Sequence, residues 1–187
     1  MTKCFEKVAV ISILITASLV LMGPVNAVAD EASGIDRNIM NALQDLYESA
    51  PSAKVLGEKA AGILVFPDMV KGGFMIGGQY GTGGLIKGGK VVAYYSSTAL
   101  SYGLQIGAQK FGYALFFMGE KDLDYLKKSE GWEVGGAPSL VIADKGVATA
   151  LSTTTVREGI YAFFFGQKGL MAGLGLQGTK ITEYKPE

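Results

Sequence analysis

Residues 71–90 read KGGFMIGGQYGTGGLIKGGK, and the spacing of bulk in this stretch decides the fold class. Phe74, Ile76, Tyr80 and Ile86 fall at even positions, while Gly73, Gly77, Gly81 and Gly83 fall at odd ones. Alternation with a period of two belongs to a β-strand. A phosphate cradle would need its glycines between a strand and a helix N-terminus, so that free amides point at the anion. Here more strand-like sequence follows, and the lysine-serine/threonine pair of a P-loop is absent. The glycines therefore belong to a bent strand or turn, with bulk on one side and a shallow, bare face on the other.

The same grammar extends in both directions. ILVF (63–66) reads as a short strand stopped by Pro67-Asp68. KVVAYYS (90–96) is rich in β-branched and aromatic residues. In TALSYGLQIGAQ (98–109) the large residues are even-numbered, and in the following KFGYALFFMG they become odd-numbered: Phe111, Tyr113, Leu115 and Phe117. A change of parity flips the buried face, so a turn or bulge is expected near Gln109-Lys110 and the two segments should form a hairpin. GWEVGGAPSLVIADKG (131–146), VATALSTTT (147–155), GIYAFFFGQ (159–167) and LMAGLGLQGTKITEY (170–184) return to strand, with Pro138 favouring an edge or bulge.

Helical periodicity occurs in two places. In 33–50, Ile35, Ile39, Leu43, Leu46 and Tyr47 recur every three or four residues and share one face, with Ser33 placed to cap it. Pro51-Ser52 should end that helix, and Ser52 should cap a second running to about Ala60. EKDLDYLKKSEG (120–131) is charged outside, with Leu123 and Leu126 inside. The predicted class is α+β: a curled or barrel-like antiparallel sheet of about seven to nine short strands, N-terminal amphipathic helices and one helical insertion at about 120–130.

The first 29 residues have another character. Lys3 and Lys7 precede an uncharged apolar run from Val8 to Met22, and Ala27-Val28-Ala29 forms a small-x-small exit. That layout is a cleavable secretory signal peptide, with cleavage expected after Ala29 or else Ala27, leaving residues 30–187 as one domain in the periplasm or outside the cell. Cys4 lies before the apolar run rather than at the cleavage point, which argues against a lipoprotein. Removing Lys3, Glu6 and Lys7 from 17 basic and 17 acidic side chains leaves 15 and 16, with no cysteine and no histidine. Disulfides, thiolate or imidazole metal sites, and Cys-His or Ser-His catalysis are thereby excluded. Without a basic run, nucleic-acid binding is not expected either. No catalytic residue, metal or cofactor is predicted.

Several separated motifs in order, GILVFPDMVKGGFMIGGQYGTGGLI (62–86), YYSSTALSYGLQIGAQ (94–109), GWEVG (131–135) and FGQKGLMAGLGLQGTKI (165–181), resemble the SYLF-domain family. The resemblance implies a non-enzymatic domain that associates with phospholipid or a membrane surface. In eukaryotic members it also implies actin assembly, which an export signal argues against here. It points to the amphipathic helix, hence Ile35, Ile39, Leu43, Leu46 and Tyr47, as a lipid contact. The residues themselves offer a second candidate: the glycine-rich faces, including Gly173 and Gly175, with Lys71, Lys87 and Lys90 placed to meet a headgroup phosphate. Two other readings stay open. One is a small outer-membrane β-barrel, for which the strands look short and glycine-interrupted. The other is a carboxylate-dependent envelope hydrolase using a pair drawn from Glu133, Asp144 and Glu158.

Overall fold

The computed structural model describes residues 26–103, 109–128, 132–134, 140–142, 159–166 and 178–186. Contacts divide the chain at Gly34. Before that point the described residues are the first turns of helix α1 (Asn26–Ser49); from Ile35 onward lie the remainder of α1 and all the other elements. The helix thus begins upstream of the expected Ser33 cap, because the alanines and glutamate of NAVADEAS favour helix over a break. Helix α2 (Pro51–Gly57) places Pro51, not a Ser52 cap, in its first turn. Proline fits there because its missing N–H has no helical partner at that position anyway.

Among the described residues seven strands form one sheet: β1 (Gly62–Lys87), β2 (Lys90–Gly103), β3 (Gln109–Phe117), β4 (Trp132–Val134), β5 (Leu140–Ile142), β6 (Ile160–Phe165) and β7 (Thr179–Tyr184), in the order β4-β7-β2-β1-β3-β6-β5. Helix α3 (Glu120–Lys128) follows β3, as its charge pattern predicts. Six strands pair antiparallel with their neighbours, and β5 joins β6 in parallel. A parallel pair needs a crossover of a dozen residues or more, and the chain from 143 to 159 is long enough to supply one. Among the described residues the sheet is open, with β4 and β5 at its edges.

The organising element is β1. Pro67 does not stop it. Between Phe66, which faces Tyr113, and Met69, which faces Phe111, Pro67 and Asp68 oppose Gly112 alone. That two-against-one bulge absorbs a residue that cannot donate to the ladder. Residues 62–71 of β1 pair with β3, and residues 75–87 pair with β2. The expected β2–β3 hairpin is therefore absent, because β1 stands between those strands and serves both. The β1–β2 turn is tight, with Gly88 and Gly89 at φ 59° and 76°, the left-handed values a two-residue hairpin loop demands. The 131–146 segment divides into two short strands at opposite edges of the sheet. The strand readings at 147–155 and 170–177 lie outside the described residues.

Two cores result. The inner one joins Leu64, Phe66 and Met69 of β1 to Leu85, Tyr95, Phe111, Tyr113, Leu115, Phe117, Ile160 and Ile181, with Leu123 and Leu126 of α3 sealing it. Phe66 and Tyr113, cross-strand partners, stack with ring centroids 4.8 Å apart. The outer core lies under α1 and α2, where Ile39, Leu43, Leu46, Ala53 and Leu56 cover Ile63, Val65, Ile86, Ala114, Phe116 and Phe163. Strand β3 is buried on both faces: its odd residues enter the inner core, as the parity change predicts, and Ala114 and Phe116 face the helices. Each such aromatic or leucine contributes about 1.5–3 kcal/mol by leaving water.

Candidate functional site

Alternation along the second half of β1 sorts its residues between an inner and an outer side. Gln79 is buried on the inner side, where Leu85 joins the inner core. Gly81 and Gly83 lie between them, and β1's own first half passes directly over them. A Cβ on Gly81 would meet Met69 and the Asp68 carbonyl oxygen at 2.6 Å; one on Gly83 would collide with the Val65 carbonyl and come within 2.8 Å of the Phe66 ring. The bare face at these glycines is thus filled by the same strand folded over itself, not left as an open trough. Gly84, on the opposite side, sits under the helix instead, with Ile39 Cδ1 2.7 Å from where its Cβ would be.

Beside this contact lies a small buried polar layer. Tyr113 donates its hydroxyl to Ser97 Oγ at 2.7 Å, and Gln79 Nε2 donates to Thr179 Oγ1 at 3.2 Å. Ser97 and Thr179 are fully buried, so these partners satisfy groups that water cannot reach. Burial holds the Tyr113 phenol well above the ordinary tyrosine range. A neutral hydroxyl pair without a base is not a nucleophilic centre.

The outer side of the ribbon is different. Helices cover it from Ile63 to Val65 and again at Gly84 and Ile86. Val70 is 45% exposed, Tyr80 56% and, across the ladder on β2, Leu100 72%. Tyr80 pairs with Thr98, which pairs with Lys180; Gly78 pairs with Leu100. Tyr80 and Leu100 are thus diagonal neighbours on one face, within reach of each other. Of the exposed lysines, Lys110 stands opposite Val70 on the β3 side of β1, and Lys180 lies in the row of Tyr80, where it pairs in turn with Glu133.

The residues singled out from sequence fall in other places. Ile39, Leu43 and Leu46 are buried against the sheet, and Ile35 and Tyr47 are half-buried at the margin of the same core. Burial, then Glu58, raises the Tyr47 phenol. Two side-chain bonds add to that docking: Tyr94 donates to Asp36 Oδ1 at 2.7 Å, and Asn38 Nδ2 donates to Asp68 Oδ2 at 3.3 Å. The Asp36 hydrogen bond first, then burial, pushes the Tyr94 phenol up to about 12. Lys87 is engaged by Glu120 at 2.8 Å, which lowers the Glu120 carboxyl, while Lys90 faces it across the hairpin end and is exposed. Lys71 lies at the far end of the β1–β3 ladder, so the three lysines do not converge. Gly173 and Gly175, Asp144 and Glu158 lie outside the described residues. Glu133 is in β4. Among the described residues, no group of three potential metal ligands forms, and no helix is long and apolar enough to cross a membrane. Tyr80, Leu100 and Lys180 were not legible as a set, because parity shows which residues share a side but not which side is covered.

Residues 98–187 match the family model described as Ysc84, Las17-binding protein actin regulator. The match covers the C-terminal part of the region whose motifs resemble the SYLF domain. The match opens inside β2 and takes in β3 to β7 with α3. In the structure these strands share one sheet with β1, and β2, β3, β6 and β7 share its inner core, so the folded unit reaches back beyond the matched segment. No curated protein matches the chain.

Proposed function

We propose that this SYLF-like protein is an exported, non-enzymatic domain of the cell envelope that associates with phospholipid membrane. The observation carrying the proposal is the exposed apolar pair Tyr80 and Leu100 on the outward face of β1–β2, with exposed Lys180 in the row of Tyr80. An exposed aromatic and leucine beside a cation suit a membrane–water interface, where aromatic rings sit at headgroup level and lysine heads reach the phosphates. The family description names actin regulation; a chain exported by residues 1–29 works away from cytosolic actin, which leaves membrane association as the property relevant here. The acid-base pair that a hydrolase needs has no counterpart in this reading, and the domain acts by binding alone.

The test is fractionation of the native host followed by co-sedimentation of the purified protein with phospholipid vesicles at low salt. Recovery with envelope membranes and with vesicles is the expected result, released by carbonate because the contact is peripheral. Recovery only in the aqueous fraction, together with no vesicle binding, would defeat the proposal.

A further inference from the structure

The corner where α1 meets β2 and β7 holds a negative charge that the protein does not neutralise. Asp36 is half-buried on α1, and its Oδ1 accepts the Tyr94 hydroxyl at 2.7 Å. Among the described residues Asp36 has no other hydrogen-bond partner and forms no ion pair, which leaves Oδ2 unused. A partly shielded carboxylate gains from a cation beside it. Next to it, Tyr94 and Tyr184 are cross-strand partners, with ring centroids 6.3 Å apart and planes tilted by 53°. Both rings are half-buried, so each keeps part of its surface open to solvent. Gly84 completes their row, and the space over it is filled by Ile39 of α1 and by Val91, which closes the row on the helix side.

We propose that Asp36, Tyr94 and Tyr184 form a binding site for a quaternary ammonium group. The face of a tyrosine ring is the negative part of its quadrupole and attracts a cation within about 6 Å of the centroid. With the centroids 6.3 Å apart, one cation lies inside that range of both rings while its charge faces the carboxylate. The Tyr94–Asp36 bond holds one ring and the carboxylate together before any ligand arrives, which lowers the cost of ordering them. A quaternary ammonium suits the place better than a small metal ion. Its methyl groups spread the charge, hold water weakly and pack on aromatic carbon. Two rings and one carboxylate offer too few oxygens to replace the six or more ligands that a hard cation takes. The group reaches the site either on a soluble solute or on a choline lipid headgroup, and the recognition chemistry is the same. The site uses neither Tyr80 nor Leu100, so it stands or falls apart from the membrane reading.

The test is an NMR titration of the purified protein with tetramethylammonium chloride, with sodium chloride at equal ionic strength as the reference. The methyl protons should move upfield over the rings and saturate with a roughly millimolar dissociation constant. Asp36→Asn keeps an oxygen for the Tyr94 hydroxyl but removes the charge, and Tyr184→Leu keeps apolar bulk but removes the ring. Each should weaken binding about fivefold or more. Tyr125→Leu, which removes an exposed tyrosine on α3, should leave it unchanged. Tm values measured alongside separate lost binding from lost fold, and the titration of the parent chain needs no variant at all. Two further arms identify the source. Binding of choline without preference for choline lipid assigns the site to a solute; recruitment to phosphatidylcholine over phosphatidylethanolamine vesicles, with choline competing, assigns it to a headgroup, and both support the site. No saturable shift with tetramethylammonium, an equal response to sodium, or a shift that neither Asp36→Asn nor Tyr184→Leu alters would overturn it, leaving membrane association standing.

Discussion

The inner and outer faces of the β1–β2 ribbon are made from alternate residues of the same two strands, yet they invert the usual relation between size and burial. Inside, Gly81 and Gly83 are buried because another length of backbone lies on them. Outside, Tyr80 and Leu100 are large, apolar and exposed. Bulk is a guide to burial where side chains fill the space between elements, and fails where main chain packs on main chain. A strand that bends over itself requires the second situation, and glycine is the residue that permits it.

The sharpest way to break this comparison is to add the same bulk to each face. Gly83→Ala drives its Cβ into the Val65 carbonyl and the Phe66 ring, and main chain cannot yield as the end of a flexible side chain can. A loss of about 3 kcal/mol or more is expected in urea unfolding. Gly78→Ala, whose Cβ would meet only the Ala99 carbonyl at 3.9 Å, should change stability by less than about 0.5 kcal/mol. Equal effects at the two sites would mean that the ribbon does not pack on itself.

A smaller effect separates polar from apolar burial inside the ribbon. Tyr113→Phe keeps the stacking on Phe66 but leaves the Ser97 hydroxyl without its donor in a site closed to water. The expected cost is about 1–2 kcal/mol. Ser97→Ala in the same background should recover part of it, since removing both partners leaves no orphan.

The smallest effect tests the helix clasp on the other face. Tyr94→Phe removes a bond to a carboxylate that is only partly shielded, so about 1 kcal/mol at pH 8 is expected. The folded-state pKa of Tyr94, about 12, lies above its unfolded value near 10, so the protonated phenol is the stabilising form. Its contribution is complete below pH 10 and disappears as pH rises from 10 through 12. Urea midpoints should fall less steeply over that window in Tyr94→Phe than in the parent. Tyr95, raised to about 12 by burial and then Glu183, keeps part of the slope in both.

Much of the class was legible in the residues. The period-two pattern located β1, β2, β3, β6 and β7, and the odd-numbered bulk of Phe111 to Phe117 identified the side of β3 that enters the inner core. Leu123 and Leu126 marked the buried side of α3. The errors share one origin. Pro67 reads as a stop, but its effect depends on a partner strand able to accommodate a bulge. The β2–β3 hairpin reads as local, but β1 is long enough to intervene. The candidate surface was missed for the same reason: Tyr80 and Leu100 have the size of core residues, and only the position of α1 and α2 leaves them uncovered.

What the sequence alone determined is what depends on neighbours along the chain: alternation, helical periodicity, the two-glycine turn, and the absence of histidine from the chain and of cysteine beyond Cys4. Tertiary structure decided which face of each strand is inside. That choice belongs to elements far apart in sequence, α1 closing over Ile63 and Phe116 and the first half of β1 closing over Gly83. Alternation fixes two faces but carries no sign, and the sign is set by whatever packs first against one of them.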